Sequence, residues 1–256
     1  MRVAWATELG DPRRGNEDFV AAAPGAVVVL DGCGLPLGTD LGCVHGTAWF
    51  ARSLGMRLLS RLVDGGAGGT VRNVPQAGPP VGPPEGDYRR DERPLVGRLA
   101  GAIADVAASH RDTCDLSCRT TPAATVVALR RRGDLVDYLV QADSTLLLDR
   151  VDGLQEITGG PYYAAADPAA AQYAITGTLP VAELRAAYLL TDGATRLADL
   201  FGLLDWRGLA GLVEKEGPAA LIARTREAER TDPHATRWPR GKPHDDATVA
   251  HCVVVP

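Results

Sequence analysis

Three apolar runs in this chain each end in an aspartate: VVVLD at Asp31, YLVQAD at Asp143 and YLLTD at Asp192. A fourth run opens behind a pair, Asp245 and Asp246, in HDDATVAHCVVV, and a further pair, Glu17 and Asp18, stands at the entry to an early strand. Gathered carboxylates repel. Two unit charges about 4 Å apart cost roughly 4 kcal/mol near a protein surface, so a cluster calls for protons or cations. A set of oxygen ligands selects hard ions such as Mg²⁺ or Mn²⁺. Gly32 after Asp31 and Gly193 after Asp192 would let the backbone turn and bring a carbonyl to an ion. Asp and Gly also make ordinary turns at strand ends, so the residues alone leave a metal site and a set of turns both open.

The elements that must position these acids are legible as patterns. Val3–Glu8 and Phe19–Ala22 are short strands around a polar loop, and Ala26–Leu30 is a continuous β-branched run, as a buried strand gives. After a Gly- and Pro-rich loop, Val44, Ala48, Ala51, Leu54, Leu58 and Leu62 share one helical face over about 41–63. The Gly- and Pro-rich stretch 64–94 is expected to be a flexible insertion, with a second helix over about 95–111. Strands follow at 124–129, 135–140 and 145–148, then an irregular stretch at 156–180 and a buried strand at 187–190. Helices are expected near 195–204, 206–216 and 218–229, with Pro218 at a first helical position, and the last strand runs over 247–255. Short turns between successive strands predict antiparallel sheets covered by helices, an α+β class. In that arrangement the end of one strand lies beside the start of its neighbour, so the acids can meet at one rim.

Composition narrows the function. With 256 residues and a net charge of -5, the chain offers no basic footprint for nucleic acid. No stretch approaches 18 apolar residues, so no membrane partner is expected, and the N-terminus carries no apolar leader. Five cysteines, an odd number, fit reduced thiols and a cytoplasmic location. Cys114 and Cys118 lack a partner motif and are read as buried thiols in preference to a zinc site, and Cys33 as a packed thiol.

Six segments in order resemble the PPM (PP2C-type) metal-dependent serine/threonine protein phosphatases, bacterial type. They are RRGNEDF (13–19), VVVLDGCG (27–34), PAATVVAL (122–129), VQADSTLLL (140–148), YLLTDGATR (188–196) and HDDATVAHCVVV (244–255). Each is weak alone; the ordered set spans nearly the whole chain. The resemblance implies one domain over 1–256 with a four-layer α-β-β-α sandwich. It also implies two Mg²⁺ or Mn²⁺ ions, with a third as an open alternative.

By the resemblance, Asp31 bridges the ions, Glu17 and the Gly32 carbonyl hold one, and Asp192 and Asp245 hold the other. Asp18 orients a water, Arg13 binds the phosphoryl group with Arg14 as its alternative, and His45 lies where it could touch substrate. Asp143 and Asp246 are assigned to turns or hydrogen bonding. Ala142 replaces the family's glycine before Asp143. The implied reaction is hydrolysis of phosphoserine and phosphothreonine by an activated water. The expected partner is a phosphorylated protein, with a cognate Ser/Thr kinase or its targets also in view. A small phosphorylated metabolite, or a regulatory scaffold without catalysis, are the alternatives. Consistently, neither a Cys-x5-Arg loop nor a GxxxxGK(S/T) loop occurs.

Overall fold

The computed structural model describes residues 1–63 and 95–254, so the insertion expected at 64–94 lies outside the described residues. One antiparallel sheet has the order β1-β10-β9-β6-β7 and the other β2-β3-β4-β5-β8. The strands are β1 (Arg2–Glu8), β2 (Phe19–Ala23), β3 (Ala26–Leu30), β4 (Val126–Arg132) and β5 (Leu135–Gln141). They continue as β6 (Thr145–Arg150), β7 (Gly153–Thr158), β8 (Ile175–Pro180), β9 (Leu184–Leu190) and β10 (Ala247–Val253).

Helices α1 (Thr47–Val63) and α2 (Leu95–His110) cover the outer face of the second sheet. The short α3 (Asp192–Thr195) follows β9, and α4 (Trp206–Glu216) and α5 (Pro218–Thr231) cover the first sheet. The expected four-layer α+β sandwich is therefore the observed one. None of the described helices is long and apolar enough to cross a membrane.

Layering explains the apolar runs. In β3, Ala26, Val28 and Leu30 face the helices while Val27 and Val29 face the other sheet, and all five are buried. A strand covered on both faces needs no polar alternation. Each buried Val or Leu contributes about 1.5–3 kcal/mol, which fixes the register of the strand whose end carries Asp31.

Three local expectations change. The first helix begins at Thr47, not near residue 41: Gly42 (φ +62°) and Gly46 (φ +80°) adopt left-handed backbone, and Val44 is exposed on the loop. The helix expected over 195–204 shrinks to α3 and a series of turns ending at Gly202 (φ +60°). The stretch 156–180 holds the end of β7 and the edge strand β8. Both are edge strands with a single buried residue each, Ile157 and Leu179, so neither carries a period-two signal.

Candidate metal centre

Antiparallel pairing brings the acids to one rim. Phe19 pairs with Leu30, so Glu17 and Asp18, just before β2, stand beside Asp31, just after β3. Val249 pairs with Leu190, so Asp245 and Asp246, before β10, stand beside Asp192, after β9. The two sheets meet there through Thr191, whose Oγ1 donates to Asp18 Oδ2 at 2.9 Å. A cleft of about 680 Å³ is lined by Asp31, Gly32, Asp192, Arg196, Lys242 and Asp245. A second, of about 610 Å³, shares Lys242 and Asp245 with it and adds Arg14 and Glu17.

The backbone under these side chains is pinned. Asp31 N–H donates to Thr125 Oγ1 at 3.1 Å, and its carbonyl accepts from Thr125 N–H at 2.8 Å. Asp246 accepts from the backbone amides of Gly10 and Glu17, both at 2.7 Å, which is a hydrogen-bonding role. The two glycines are needed for close chain approach. A Cβ at Gly32 would meet the Glu17 carbonyl oxygen at 2.6 Å and Thr47 Cγ2 at 2.7 Å, and one at Gly193 would meet the Asp246 carbonyl oxygen at 2.0 Å.

The accumulated charge is visible in the acidities. Burial, then the neighbouring Asp18, Asp192 and Asp245 carboxyls, push Asp31 well above the usual aspartate range. Burial raises Asp18 to about 8 against the hydrogen bonds from Thr248 and Thr191. Asp192 is exposed, yet desolvation by the surrounding protein and then the nearby Asp245 raise it to about 6. Glu17 is also raised, chiefly by burial.

Three features of the site suit hard cations. Asp18 Oδ1 is buried with no hydrogen-bond partner among the described residues. The Gly32 cradle leaves no room for a side chain. The donors around the cleft are carboxylates, the chemistry Mg²⁺ and Mn²⁺ prefer. The residues fit such ions, but they stand around the cleft instead of closing on a point. Among the described residues, no three of these carboxylates bring oxygens within 4.8 Å of one another; the one group that does is Cys43, His45 and Cys114.

Cationic side chains reach between the acids. Lys242 Nζ lies 2.6 Å from Asp245 Oδ1, Arg196 reaches Asp245 Oδ2 at 3.2 Å, and Arg14 reaches Glu17 Oε2 at 3.3 Å. Arg196 is fixed from behind by Glu229, which is fully buried and also holds Arg226 at 2.9 Å and His244 at 2.6 Å.

The remaining candidates are placed as follows. Arg13 turns outward, largely exposed, and forks onto Asp11 at 2.7–3.1 Å. Arg14, its neighbour, is the arginine beside the acids, and it also donates to the Leu35 carbonyl. His45 turns its Nδ1 toward Cys114 and stacks on Trp49 at 4.3 Å. Asp143 sits on the turn between β5 and β6 and accepts from the Tyr163 hydroxyl at 3.0 Å. Cys33 is a poor nucleophile, its thiol pushed up by burial and the adjacent acids. Sequence reasoning missed Arg196, Lys242 and Glu229. The spacing of Lys242 three residues before Asp245 was the available signal for one of them.

No protein-family model matches the chain, and no curated protein matches its sequence. Solved structures do match it. The catalytic domain of the serine threonine protein phosphatase PstP, in complex with 2 manganese ions, aligns at a TM-score of 0.58 and 16% identity, over 100% of this chain and 98% of that one. PppA, a key regulatory component of T6SS in Pseudomonas aeruginosa, aligns at 0.56 and 20% identity, over 98% and 97%. The serine/threonine phosphatase Stp1 from Staphylococcus aureus aligns at 0.57 and 12% identity, over 99% and 95%. At these identities the likeness is one of fold.

Proposed function

We propose that this chain is a metal-dependent phosphatase acting on phosphoserine and phosphothreonine in proteins. The observation that carries the reading is the gathering of Glu17, Asp31, Asp192 and Asp245, from the rims of both sheets, around two adjoining clefts that share Asp245, with Asp31 and Asp192 lacking an ion pair among the described residues. Asp31, whose carboxyl feels Asp18, Asp192 and Asp245, would help hold the ions. Glu17 and the Gly32 carbonyl would complete one position, and Asp192 and Asp245 the other. When bound, Mg²⁺ or Mn²⁺ supplies Lewis-acid chemistry toward a phosphoryl oxygen and water.

The chain's own residues do the rest. Thr191 holds Asp18 through Oδ2, leaving its buried Oδ1 without a partner among the described residues, where it would accept a hydrogen bond from a water and orient it. Arg14 is the guanidinium placed to bind phosphoryl oxygens, with Arg13 beyond it at the mouth. Tyr163 and Asp143 close one side. A phosphorylated protein, including a Ser/Thr kinase or its targets, is the proposed partner.

A second reading rests on Lys242 and Arg14, whose ion pairs stand among the acids. In it the fold is a regulatory scaffold that uses side-chain cations where ions would bind. Phosphate release from a phosphothreonine peptide and an aryl phosphate separates the two. The enzyme reading expects release with Mn²⁺, abolished by chelator, Asp31→Ala or Asp192→Asn. No release from either substrate, with no heat of Mn²⁺ binding, favours the scaffold. Release from the aryl phosphate alone points to a small-molecule substrate.

A further inference from the structure

Away from the acid clefts, the fold brings Cys114 to Cys43 and His45, which lie 71 and 69 positions before it in sequence. Cys43 and His45 come from the loop before α1, and Cys114 from the loop after α2. Cys114 Sγ lies 3.3 Å from Cys43 Sγ and 3.3 Å from His45 Nδ1, and Cys43 Sγ lies 3.8 Å from the same nitrogen. Ligands at a tetrahedral zinc ion, with Zn–S about 2.3 Å and Zn–N about 2.0–2.1 Å, stand about 3.5–3.8 Å apart. The observed triangle is close to one face of that tetrahedron. We propose that Cys43, His45 and Cys114 form a zinc site, three protein ligands with the fourth position open to solvent.

The site is organised without help from an ion. Gly42 takes left-handed backbone at φ +62°, and its carbonyl accepts from Asp115 N–H at 2.7 Å, which ties the two loops together next to the thiols. Thr120 Oγ1 adds a second tie, to the Asp40 carbonyl at 2.6 Å. The His45 ring is held by its stack on Trp49. Two thiolates and a neutral imidazole make a neutral complex with Zn²⁺, and soft sulfur selects zinc over the hard ions suited to the acid cleft. The loop that carries Cys43 also contributes Leu35 to both clefts beside the acids, so an ion here would clip the wall of the acid site to the end of α2. The inference does not depend on the phosphatase reading.

Cobalt tests it, because thiolate-to-cobalt charge transfer in the near ultraviolet cannot arise from a carboxylate site. The reduced full chain, stripped with chelator, is titrated with Co²⁺. The band is expected to saturate at one ion per chain, to bleach with one equivalent of Zn²⁺, and to persist in Asp31→Asn. Cys114→Ser and Cys43→Ser are expected to abolish it, and His45→Ala to weaken cobalt binding at least tenfold. Absence of the band in wild-type protein with free thiols overturns the site whatever the variants do. So does a band that survives in both cysteine variants, or a Cys43–Cys114 disulfide formed under the same reducing conditions.

Discussion

Asp18 gives the metal-free protein an unusual pH dependence. Its carboxyl is held at about 8 in the fold, against about 3.9 in an unfolded chain. The folded state therefore binds the proton more tightly. The stability from that proton is fully present below pH of about 4 and is lost as pH rises toward 8. Between pH 5 and 7 the unfolded carboxyl is ionised and the folded one protonated, so stability falls by about 1.4 kcal/mol per pH unit, or about 2.7 kcal/mol over the interval. Asp31, raised in the same sense, steepens the fall. Against a total stability of about 5–15 kcal/mol this is a large change.

The assay is urea unfolding in chelator at pH 5, 6 and 7. Asp18→Asn keeps an acceptor for Thr191 and should remove about 1.4 kcal/mol per pH unit from the slope. Saturating Mn²⁺ should hold the acids ionised, flatten the slope, and add about 2.7 kcal/mol at a hundredfold excess over Kd. Metal-free stability that is level or rises from pH 5 to 7, or a slope untouched by Asp18→Asn, refutes the reasoning.

Other perturbations probe the same site from different sides. Glu229→Gln leaves Arg196 and Arg226 buried without their carboxylate and should cost about 3–5 kcal/mol in denaturant unfolding. Gly32→Ala forces a methyl against the Glu17 carbonyl and Thr47; a loss of about 1–3 kcal/mol is expected, with weaker Mn²⁺ binding by calorimetry. In steady-state kinetics on a phosphothreonine peptide, Arg14→Ala should lower kcat/KM by about tenfold or more, the worth of a charge-assisted hydrogen bond. Arg13→Ala, removing an exposed pair, should stay within about threefold.

The sequence makes the layered architecture legible because both-face burial writes itself as runs such as Ala26–Leu30. It also shows the acids, since each stands at the end of such a run. Edge elements are harder. The open faces of β7 and β8 carry residues chosen by solvent, and Tyr138 against Gly177 is a contact no periodicity announces. The start of α1 was misplaced because an apolar spacing extended through Gly42 and Gly46, where the backbone in fact turns left-handed. Spacing to Asp18 favours Arg13 over Arg14, but the Asp11 carboxylate captures Arg13 and leaves Arg14 beside Glu17, which no spacing announces. Cys43, His45 and Cys114 were invisible as a group because only the fold brings their loops together.

The distribution of cations within the cleft bears on the choice between enzyme and scaffold. Asp245 engages both Lys242 and Arg196, and Glu17 engages Arg14. Asp18, Asp31 and Asp192 have no ion pair among the described residues, and all three are shifted upward, chiefly by desolvation. If side-chain cations had taken over the role of ions, an ion pair should fall on Asp31, which feels Asp18, Asp192 and Asp245 together. The ion pairs fall instead on Glu17 and Asp245, the latter held through Arg196, which Glu229 fixes from behind. Lys242 pairs with Asp245 and lowers Asp31 only in part, so Asp31 stays well above the usual aspartate range, a deficit that a small divalent ion would relieve.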